Sequence, residues 1–468
     1  MARAAPLADL LELRLDGIAC PDLHALLADR PRPVIVTNRP VAEGGRYAGP
    51  ERQRLALLEE AAALGAEYVD VELDAAGLCD TRGACRIISF HDFRGMPADL
   101  EVIHVRLRAA GADVAKVAVT ARDICDNLPI FSLLRAAQKT SQPTIALAMG
   151  EHGQISRILG RKFGAFLTYA ALEEGAGTAP GQITAARLRD EFRYYKINVH
   201  TDIYGVIARP VAHSLSPVIH NAAFEALGIN AVYVPFLVED VPRFLAEFRA
   251  LGVKGYSVTI PHKEAALSAA DEADDLAREI GAANTIVRRG DLLCATNTDC
   301  AGALAALEEA LAGDELRGKS VILLGAGGAA RAVAFGLRQR GARIVIVNRT
   351  FERGEELARD VGAEARHVEE LPHLTADILI NTTAVGMHPH TDISPVPREI
   401  LRAGMVVFDA VYNPRETRLL REAKAAGCRV VYGDAWLLNQ AALQFELWIG
   451  RPAPREVMAR ALRARLQS

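Results

Sequence analysis

The chain has 468 residues, of which 50% are hydrophobic and 24% are charged, and its formal net charge at pH 7 is −4. At roughly 100–200 residues per domain, this length suggests about three domains, and the composition is that of a globular enzyme rather than a disordered or fibrous chain. The slightly negative charge excludes a broad basic surface for nucleic acid. No apolar run approaches the roughly 18 residues of a membrane span, and Asp9, Glu12 and Asp16 interrupt any signal-peptide core.

Seven cysteines are scattered along the chain without any C-x-x-C spacing. This distribution disfavours both a zinc site and a disulfide framework, and it predicts reduced thiols in a cytoplasmic protein. We therefore expect no metal, no nucleic-acid partner and no membrane partner. The expected partners are small-molecule substrates, and the oligomeric state is left open.

From residue 10 to about residue 185, short apolar segments alternate with helical ones. This alternation predicts parallel strands joined by helical crossovers, as in a (β/α) barrel or an open parallel sheet. Polar residues follow the strands at their carboxyl ends, which is where a barrel carries its active site. The predicted strands are 10–15, 33–37, 68–73, 86–90, 114–120, 144–149 and 165–169.

Lys116 lies inside the apolar strand segment 113–119. Burial disfavours a charged ammonium group, so a lysine here is suited to act as a nucleophilic amine on a ketone. The alternative is a lysine at a strand edge whose side chain extends to water. His91, at the end of the preceding strand, is placed to act as general acid and base. An anionic substrate is favoured by the other charged and polar side chains near strand ends: Glu12, Arg14, Arg39, Glu43, Arg157 and Gln182.

These residues resemble type I 3-dehydroquinate dehydratase over about residues 7–190. The resemblance implies a (β/α)8 barrel that forms a Schiff base with 3-dehydroquinate and eliminates water, without metal or cofactor. It implies that Lys116 is the Schiff-base lysine, that His91 transfers protons, and that Glu43 supports His91. The remaining charged and polar residues of that set would bind substrate. The first strand and helix of the family have no counterpart here, so the native gene product is expected to begin upstream of residue 1.

Residues 193–202 are predicted to connect this region to a second series of βα units, which opens with a strand at 204–208. These units continue to about residue 298, and a long helix follows to residue 311. A nucleotide-binding domain is predicted from about 318 to 434. The pattern of residues 436–450 predicts an amphipathic helix. We expect this helix to pack on the domain that precedes the nucleotide-binding domain.

The segment 321–331 carries the most informative motif of the chain. An apolar strand is followed by Gly325-x-Gly327-x-x-Ala330 and a helix, which is the dinucleotide-binding fingerprint in its alanine form. The glycines allow a tight turn and close approach of a pyrophosphate to the helix start. The next strand ends in Arg349 rather than an acidic residue, and a guanidinium suits a 2′-phosphate, so the predicted cofactor is NADP. The other cofactor-binding residues predicted from this motif and the following strand are Ala326, Gly328, Ala329, Asn348 and Thr350.

Three polar patches between residues 213 and 299 indicate the chemistry of the second half. The first offers two hydroxyls, Ser214 and Ser216, to a carboxylate or a diol. The others contain Lys263 and Asp299, a pair that suits carbonyl reduction because an ammonium group can protonate the developing alkoxide. The alternative for Lys263 alone is a surface lysine.

These patches and the nucleotide motif resemble shikimate dehydrogenase over about residues 203–468. The resemblance implies a substrate domain and a Rossmann domain with the active site in the cleft, and it makes Lys263 and Asp299 the catalytic pair. It implies that Ser214 and Ser216 hold the substrate carboxylate. It also implies that Thr382 and Met387 lie near the nicotinamide and that Gly433 is a further cofactor-binding residue. The remaining substrate-binding residues would be Thr259, Asn284, Tyr412 and Gln440.

The prediction is therefore an α/β protein with an N-terminal (β/α) barrel, lacking its first strand, and a two-domain dehydrogenase. The expected boundaries are 1–192 for the barrel, 203–300 with 436–468 for the substrate domain, and 301–435 for the Rossmann domain. The expected function is dehydration of 3-dehydroquinate to 3-dehydroshikimate, then reduction to shikimate with NADPH. The alternatives are a shikimate/quinate dehydrogenase and a barrel that is only a structural module.

Overall fold

The computed structural model describes residues 1–467 and divides the chain into two compact units. The first unit comprises Met1–Asp202 and Asn230–Glu239, and the second comprises Ile203–Ile229 and the chain from Asp240 onward. Within residues 1–467, no helix combines the length and the apolar character that a membrane crossing requires.

The first unit is built on a sheet of parallel strands in chain order, as the alternating pattern predicts. The strand order is β1-β2-β3-β4-β5-β6, and every neighbouring pair is parallel. The strands are β1 (Leu11–Arg14), β2 (Val34–Thr37), β3 (Tyr68–Glu72), β4 (Cys85–Asp92), β5 (Val114–Thr120) and β6 (Thr144–Met149). The accompanying helices are α1 (Leu23–Ala28), α2 (Glu51–Ala63), α3 (Leu100–Ala109), α4 (Asn127–Lys139) and α5 (Gln154–Leu159).

The core of this unit lies between the sheet and its helices. Strands β2 and β6 are buried at every position, as expected for parallel strands covered on both faces. Helix α2 buries Leu55, Leu58 and Ala62, whose spacing places them on one helical face. This arrangement leaves the carboxyl ends of the strands as the edge where polar side chains gather.

The predicted strand at 165–169 is not a strand in the structure, so that prediction is wrong. Phe166 N donates to Thr144 O at 2.8 Å beside the start of β6. Within residues 1–467 no further backbone bond extends this pairing. The apolar alternation of the segment predicted a strand, but a strand also requires a continuing ladder of backbone bonds. Tyr169 nevertheless lines the cavity described below.

The predicted connector at 193–202 contains short helical turns and passes into a strand that begins two residues earlier than expected. The sheet that follows has the order β10-β12-β11-β9-β7, in which β11 is antiparallel to both neighbours. Its strands are β7 (Asp202–Ala208), β9 (Gly255–Val258), β10 (Glu272–Ala273), β11 (Thr285–Arg289) and β12 (Leu292–Thr296), and β8 (Ala231–Leu237) falls in the first unit. The helices are α6 (Ser216–Ala226), α7 (Val241–Glu247), α8 (Lys263–Ala269), α9 (Asp275–Ile280) and α10 (Asp299–Leu311).

The second unit also contains a doubly wound sheet with the parallel order β15-β14-β13-β16-β17-β18. This order reverses beside β13, which creates the crevice where such sheets bind nucleotides. The strands are β13 (Ser320–Leu324), β14 (Arg343–Val347), β15 (Glu364–Arg366), β16 (Ile378–Asn381), β17 (Val406–Asp409) and β18 (Arg429–Val431). The helices are α11 (Gly328–Gln339), α12 (Phe351–Val361), α13 (Arg418–Ala425), α14 (Gly433–Ile449) and α15 (Arg455–Gln467).

Helix α14 leaves the nucleotide-binding sheet and packs on α10, α6 and β11. The sequence pattern predicted this return to the preceding domain, although the helix begins at Gly433 rather than at residue 436. Gln440 and Gln444 are buried on it and hydrogen-bond to Asn284. The returning helix therefore contributes polar side chains to the substrate side of this unit.

Candidate active sites

A cavity opens at the carboxyl ends of the strands in the first unit. Strands β1, β4, β5 and β6 contribute side chains to it directly, and the segments that follow β2, β4 and β6, including α5, contribute the rest. Every residue that the sequence analysis proposed for this half lines this cavity: Glu12, Arg14, Arg39, Glu43, His91, Lys116, Arg157 and Gln182.

Lys116 lies in the interior of β5 and its side chain is only 6% exposed. Its Nζ donates to Asp70 Oδ2 at 2.7 Å and lies 4.4 Å from the centre of the Tyr169 ring. A lysine that extends to water is therefore inconsistent with the structure. The amine is enclosed between a carboxylate and an aromatic face, at the wall of the cavity.

Asp70 is the residue of this site that the sequence analysis missed. It is fully buried and accepts hydrogen bonds from Lys116 and from Ser89 Oγ, the latter at 2.6 Å, while Arg39 Nη2 lies 2.8 Å away. Burial alone would raise the pKa of the Asp70 carboxyl, but the charges of Arg39 and Lys116 hold that pKa well below its usual value. The sequence did contain a sign of its role. Asp70 and Glu72 are two positions apart in a strand, so both carboxylates face the same side of the sheet.

Arg39 is held between the two carboxylates that this strand face presents. Its Nη1 lies 2.7 Å from Glu72 Oε1, and Glu72 Oε2 in turn lies 2.7 Å from the buried Arg54. Burial disfavours the charged guanidinium, but Asp70 and Glu72 raise the pKa of Arg39 above its ordinary value. Alternating carboxylates and guanidinium groups are therefore linked by ion pairs beneath the cavity, next to Lys116.

His91 and Glu43 form a second polar pair in the cavity. His91 Nδ1 lies 2.8 Å from Glu43 Oε2. Burial raises the pKa of Glu43 to about 7, against the opposing charge of Arg39. Burial, reinforced by the charges of Arg39 and Lys116, lowers the pKa of His91 well below its usual value. The imidazole is therefore neutral near pH 7 and can accept a proton through Nε2.

Arg157 enters the cavity from α5 and is 1% exposed. Its Nη1 donates to Tyr169 O at 3.5 Å, whereas Nε and Nη2 have no hydrogen-bond partner within residues 1–467. Burial lowers the pKa of this guanidinium to about 10. A buried cation with free donors at a cavity wall is suited to a ligand carboxylate.

The other predicted residues of this half are already engaged in local hydrogen bonds. Glu12 accepts from Thr37 Oγ1 at 2.9 Å, and Arg14 is paired with Asp16 at 2.8 Å. Gln182 accepts from a backbone N–H four residues earlier at 2.7 Å. These bonds hold the three side chains in place at the rim of the cavity.

In the second unit, Lys263 and Asp299 lie at the first residues of α8 and α10. Lys263 Nζ donates to Asp299 Oδ2 at 2.5 Å, and the two side chains are 13% and 9% exposed. Trp436 of α14 donates to the backbone carbonyl of Asp299 at 2.9 Å. The sequence-predicted pair is thus brought together although 35 residues separate its members in the chain.

Asn284 and Gln440 join this pair through Thr298, the residue before Asp299. Asn284 Nδ2 donates to Gln440 Oε1 at 3.3 Å and to Thr298 Oγ1 at 3.0 Å, and Asn284 Oδ1 accepts from Thr298 N at 2.7 Å. Ala283 N also donates to the backbone carbonyl of Lys263 at 2.9 Å. The two amides and the Lys263–Asp299 pair therefore share one framework of hydrogen bonds.

The predicted hydroxyl-bearing residues follow strands of both sheets of this unit. Thr259 follows β9, and its N–H donates to the backbone carbonyl of Ile207 near the end of β7 at 3.0 Å. Ser214 lies in the loop after β7, and Ser216, at the first turn of α6, donates its N–H to Ser214 Oγ at 3.4 Å. Tyr412 lies after β17, and burial raises the pKa of its hydroxyl.

The nucleotide-binding turn has the geometry that the fingerprint requires. Gly325 has φ +109°, and a Cβ there would lie 2.8 Å from Thr382 Oγ1, so only glycine fits. At Gly327 a Cβ would meet nothing within 4 Å, which leaves open space before the first N–H groups of α11. Arg349 is exposed just after β14, where it is free to reach a 2′-phosphate. The residues of this chain therefore fit NADP.

The two sites define the class of the protein: an α/β enzyme with a buried-lysine site on one parallel sheet and a nicotinamide-nucleotide dehydrogenase on the other sheets. Family models for the two parts match in the same order. Residues 1–199 match type I 3-dehydroquinase, 206–286 the shikimate dehydrogenase substrate-binding domain, 307–416 shikimate/quinate 5-dehydrogenase and 437–463 the shikimate 5′-dehydrogenase C-terminal domain.

Known proteins agree with this division. A bifunctional 3-dehydroquinate dehydratase/shikimate dehydrogenase of Arabidopsis thaliana, described as chloroplastic, is 42% identical over 96% of this chain and 79% of its own length. An NADP⁺ shikimate dehydrogenase of Methanothermobacter thermautotrophicus is 46% identical over 56% of this chain and 96% of its own. The Thermus thermophilus shikimate dehydrogenase solved with NADP(H) and shikimate is 39% identical, with a TM-score of 0.52 over 56% of this chain and 99% of that one. The chain belongs to the bifunctional 3-dehydroquinate dehydratase/shikimate dehydrogenase family.

Proposed function

We propose that this chain catalyses two successive reactions on separate sites. The first unit dehydrates 3-dehydroquinate to 3-dehydroshikimate, and the second reduces 3-dehydroshikimate to shikimate with NADPH. The family assignment makes the chain a lyase and an NADP-dependent oxidoreductase. The observation that supports the residue assignment most strongly is the enclosure of Lys116 in a cavity that also holds His91 and the unpaired donors of Arg157.

Dehydration would begin when the Lys116 ammonium group gives a proton to neutral His91 and the free amine attacks the ketone carbon of the substrate. A carbon–nitrogen bond forms, His91 returns the proton as the ketone oxygen leaves as water, and the resulting protonated imine acidifies the neighbouring C–H group. Neutral His91 removes that proton and then donates it to the departing hydroxyl, which leaves as a second water. Hydrolysis of the imine consumes one water and restores Lys116, so the net loss is one water.

The substrate is held by the remaining residues of the cavity. The free donors of Arg157 would take the carboxylate, because no counter-ion within residues 1–467 occupies them. Glu43 would hold the His91 imidazole through Nδ1, and Asp70 would hold Lys116 before the amine reacts. The proposed contacts to substrate hydroxyls and to the ketone side come from Glu12, Arg14, Arg39 and Gln182.

In the second unit, NADPH supplies a hydride when it is bound in the crevice beside β13. Lys263 would donate a proton to the substrate oxygen as it gains negative charge, and Asp299 would hold Lys263 in position. Ser214 and Ser216 would bind the substrate carboxylate. Hydroxyl contacts are proposed for Thr259, Asn284, Tyr412 and Gln440, and cofactor contacts for Gly325, Ala326, Gly327, Gly328, Ala329, Asn348, Arg349, Thr350, Thr382, Met387 and Gly433.

We propose the domain boundaries 1–192, 203–300 with 436–468, and 301–435. The compact units divide between Asp202 and Ile203, except that Asn230–Glu239 groups with the first unit. The return of α14 to α10 supports the split substrate domain. Limited proteolysis tests this division: cleavage should concentrate near residues 193–202. A protected 193–202 segment with cleavage inside the sheets would contradict these boundaries.

We also propose that the protein is cytoplasmic. The support for this location is the state of the cysteines, since all seven are free thiols in the structure. Cell fractionation of the native organism, with the protein followed by antibody, tests the location. Recovery with an organelle, as the name of the Arabidopsis relative implies for that protein, would contradict it.

A coupled assay tests the function directly. The purified chain, supplied with 3-dehydroquinate and NADPH, should consume NADPH and produce shikimate, whereas NADH should support much slower turnover because Arg349 has no 2′-phosphate to bind. Borohydride added with 3-dehydroquinate should leave a covalent adduct on Lys116. Reduction of added 3-dehydroshikimate without an adduct or any dehydration would instead support a structural barrel.

A further inference from the structure

Helix α11, whose first N–H groups face the nucleotide crevice, also contacts the residues that carry the proposed catalytic lysine. A Cβ on Gly328, its first residue, would lie 3.2 Å from Lys263 Cδ. One turn further along, Arg331 Nε donates to the backbone carbonyl of Ile280 at 2.6 Å. The helix thus meets the substrate side of this unit at two points.

The Ile280 carbonyl is the end of a short path to Lys263. Ile280 is the last residue of α9, and Gly281 follows it with φ +73°. The chain then reaches Ala283, whose N–H donates to the backbone carbonyl of Lys263 at 2.9 Å. The position of the Ile280 carbonyl therefore limits where the backbone of Lys263 can lie.

Arg331 is held in a defined geometry. Its Nη2 lies 2.9 Å from Asp360 Oδ2 on α12, and its side chain is only 18% exposed. A Cβ on Gly281 would lie 3.3 Å from the same Nη2, so the guanidinium fills the space beside the end of α9. A planar guanidinium can contact the Ile280 carbonyl and Asp360 at the same time through separate nitrogens. A lysine ammonium group, on one flexible stem, fits these two partners less well.

We infer that Arg331 is a positioning residue for hydride transfer. By joining α11 to the end of α9, it sets the distance between the bound nicotinamide ring and the substrate carbonyl that Lys263 protonates. This inference rests on the proposed reductase site. It concerns a residue outside the proposed substrate and cofactor contacts, and its action passes through the backbone of residues 280–283.

The main test is Arg331→Met, which keeps an unbranched stem and removes the donors. Because misplacement by about 1 Å can slow a reaction roughly a hundredfold, we expect the kcat for 3-dehydroshikimate reduction to fall by at least about tenfold. The KM values for NADPH and 3-dehydroshikimate should change less than about threefold, since the binding groups stay in place. NADPH deuterated at the transferred hydrogen should show a larger isotope effect on kcat than in the unaltered chain.

Two further variants separate positioning from general stability. Asp360→Asn removes the charge of the ion-pair partner but keeps an amide oxygen that can accept from Arg331 Nη2, so it should keep the unaltered kcat. Arg331→Lys should show a smaller loss than Arg331→Met. Dehydration of 3-dehydroquinate serves as the internal control and should be unchanged in all variants. If Arg331→Met fails to fold, Arg331→Lys decides: a lower kcat with unchanged KM supports the inference, and an unaltered kcat overturns it.

Two outcomes would overturn the inference in a folded Arg331→Met variant. The first is an unaltered kcat and isotope effect. The second is an equal loss in Asp360→Asn, which would assign the effect to the surface ion pair. An unaltered chain that cannot reduce 3-dehydroshikimate at all would instead refute the proposed function, so the two failures are distinguishable.

Discussion

Glu43 is the titrating residue of the first site near neutral pH, because burial raises its pKa to about 7. Above this pH its carboxylate accepts the Nδ1–H of His91, which leaves Nε2 free as a base. Below it the protonated carboxyl competes as a donor to Nδ1, and the base is lost. The dehydration kcat/KM should therefore rise as pH increases through about 7.

Glu43→Gln tests this assignment. The amide does not titrate, so the rise near pH 7 should disappear and kcat/KM should be low and flat from pH 6 to pH 8. Steady-state dehydration rates across this range provide the measurement, and reduction rates on the same samples control for folding. If the variant keeps the same acid limb, another group controls the rate.

The Asp70 carboxylate compensates the charges of two buried cations of the first site, because it forms ion pairs with both Arg39 and Lys116. Asp70→Asn leaves these two buried cations undercompensated, and breaking a buried ion pair from one side costs about 3–5 kcal/mol. Glu67→Gln is the matched control: Glu67 pairs with Arg30 at 36% exposure, so its loss should cost less than about 1 kcal/mol. Urea unfolding of each variant, followed by far-ultraviolet circular dichroism, provides the comparison.

The lowered pKa of Asp70 determines how its contribution to the free energy of unfolding changes with pH. A carboxyl with a lowered folded-state pKa stabilises the fold above its unfolded pKa of about 3.9, and this contribution is lost as pH falls through the folded pKa. The stability gap between the unaltered chain and Asp70→Asn should be constant from pH 7 to about pH 5 and narrow only in stronger acid. A gap that already closes between pH 7 and pH 5 would contradict the assignment.

At the scale of elements, the turn between β13 and α11 contains two glycines with different tasks. Gly327 has φ −84° and open space at its Cβ position, so Gly327→Ala should fold normally. The added methyl should obstruct the pyrophosphate and raise the KM for NADPH at least about tenfold, equivalent to about 1.4 kcal/mol of binding. Dehydration should be unaffected.

Gly325→Ala is the contrasting change in the same turn. Its φ of +109° and the nearby Thr382 make any side chain strained, at roughly 1–3 kcal/mol. This variant should therefore lose thermal stability as well as NADPH affinity. Thermal unfolding of both variants measures the difference, and equal stabilities would refute the separation of roles.

Most strands and helices were predictable because their apolar patterns are local properties of the chain. Strands β5 and β6 match their predicted bounds, and α14 was expected three residues late. The segment 165–169 shows the limit of this reasoning. Its apolar alternation suits a strand, yet whether it becomes one depends on a neighbouring ladder that the local sequence does not encode.

At the scale of the whole chain, the two activities should be separable by single substitutions. Lys116→Ala should remove dehydration and the borohydride adduct while NADPH-dependent reduction continues. Lys263→Ala should lower reduction by about 10²–10⁴-fold, the usual contribution of general acid catalysis, while dehydration continues. Assays of each step with its own substrate provide the measurement. Loss of both activities from either change would show that the two units depend on each other for folding.

By itself, the sequence determined the families, the cofactor class and the identity of most candidate site residues. Motifs such as the glycine turn at Gly325 and the lysine within a strand are local, so they can be recognised from the sequence alone. The partners of those residues were decided only by the tertiary structure: Asp70 beside Lys116, and Arg331 on the Ile280 carbonyl. Ion pairs and hydrogen bonds of this kind join residues that are distant in the chain. Only the packed fold therefore shows which of these groups are buried next to each other.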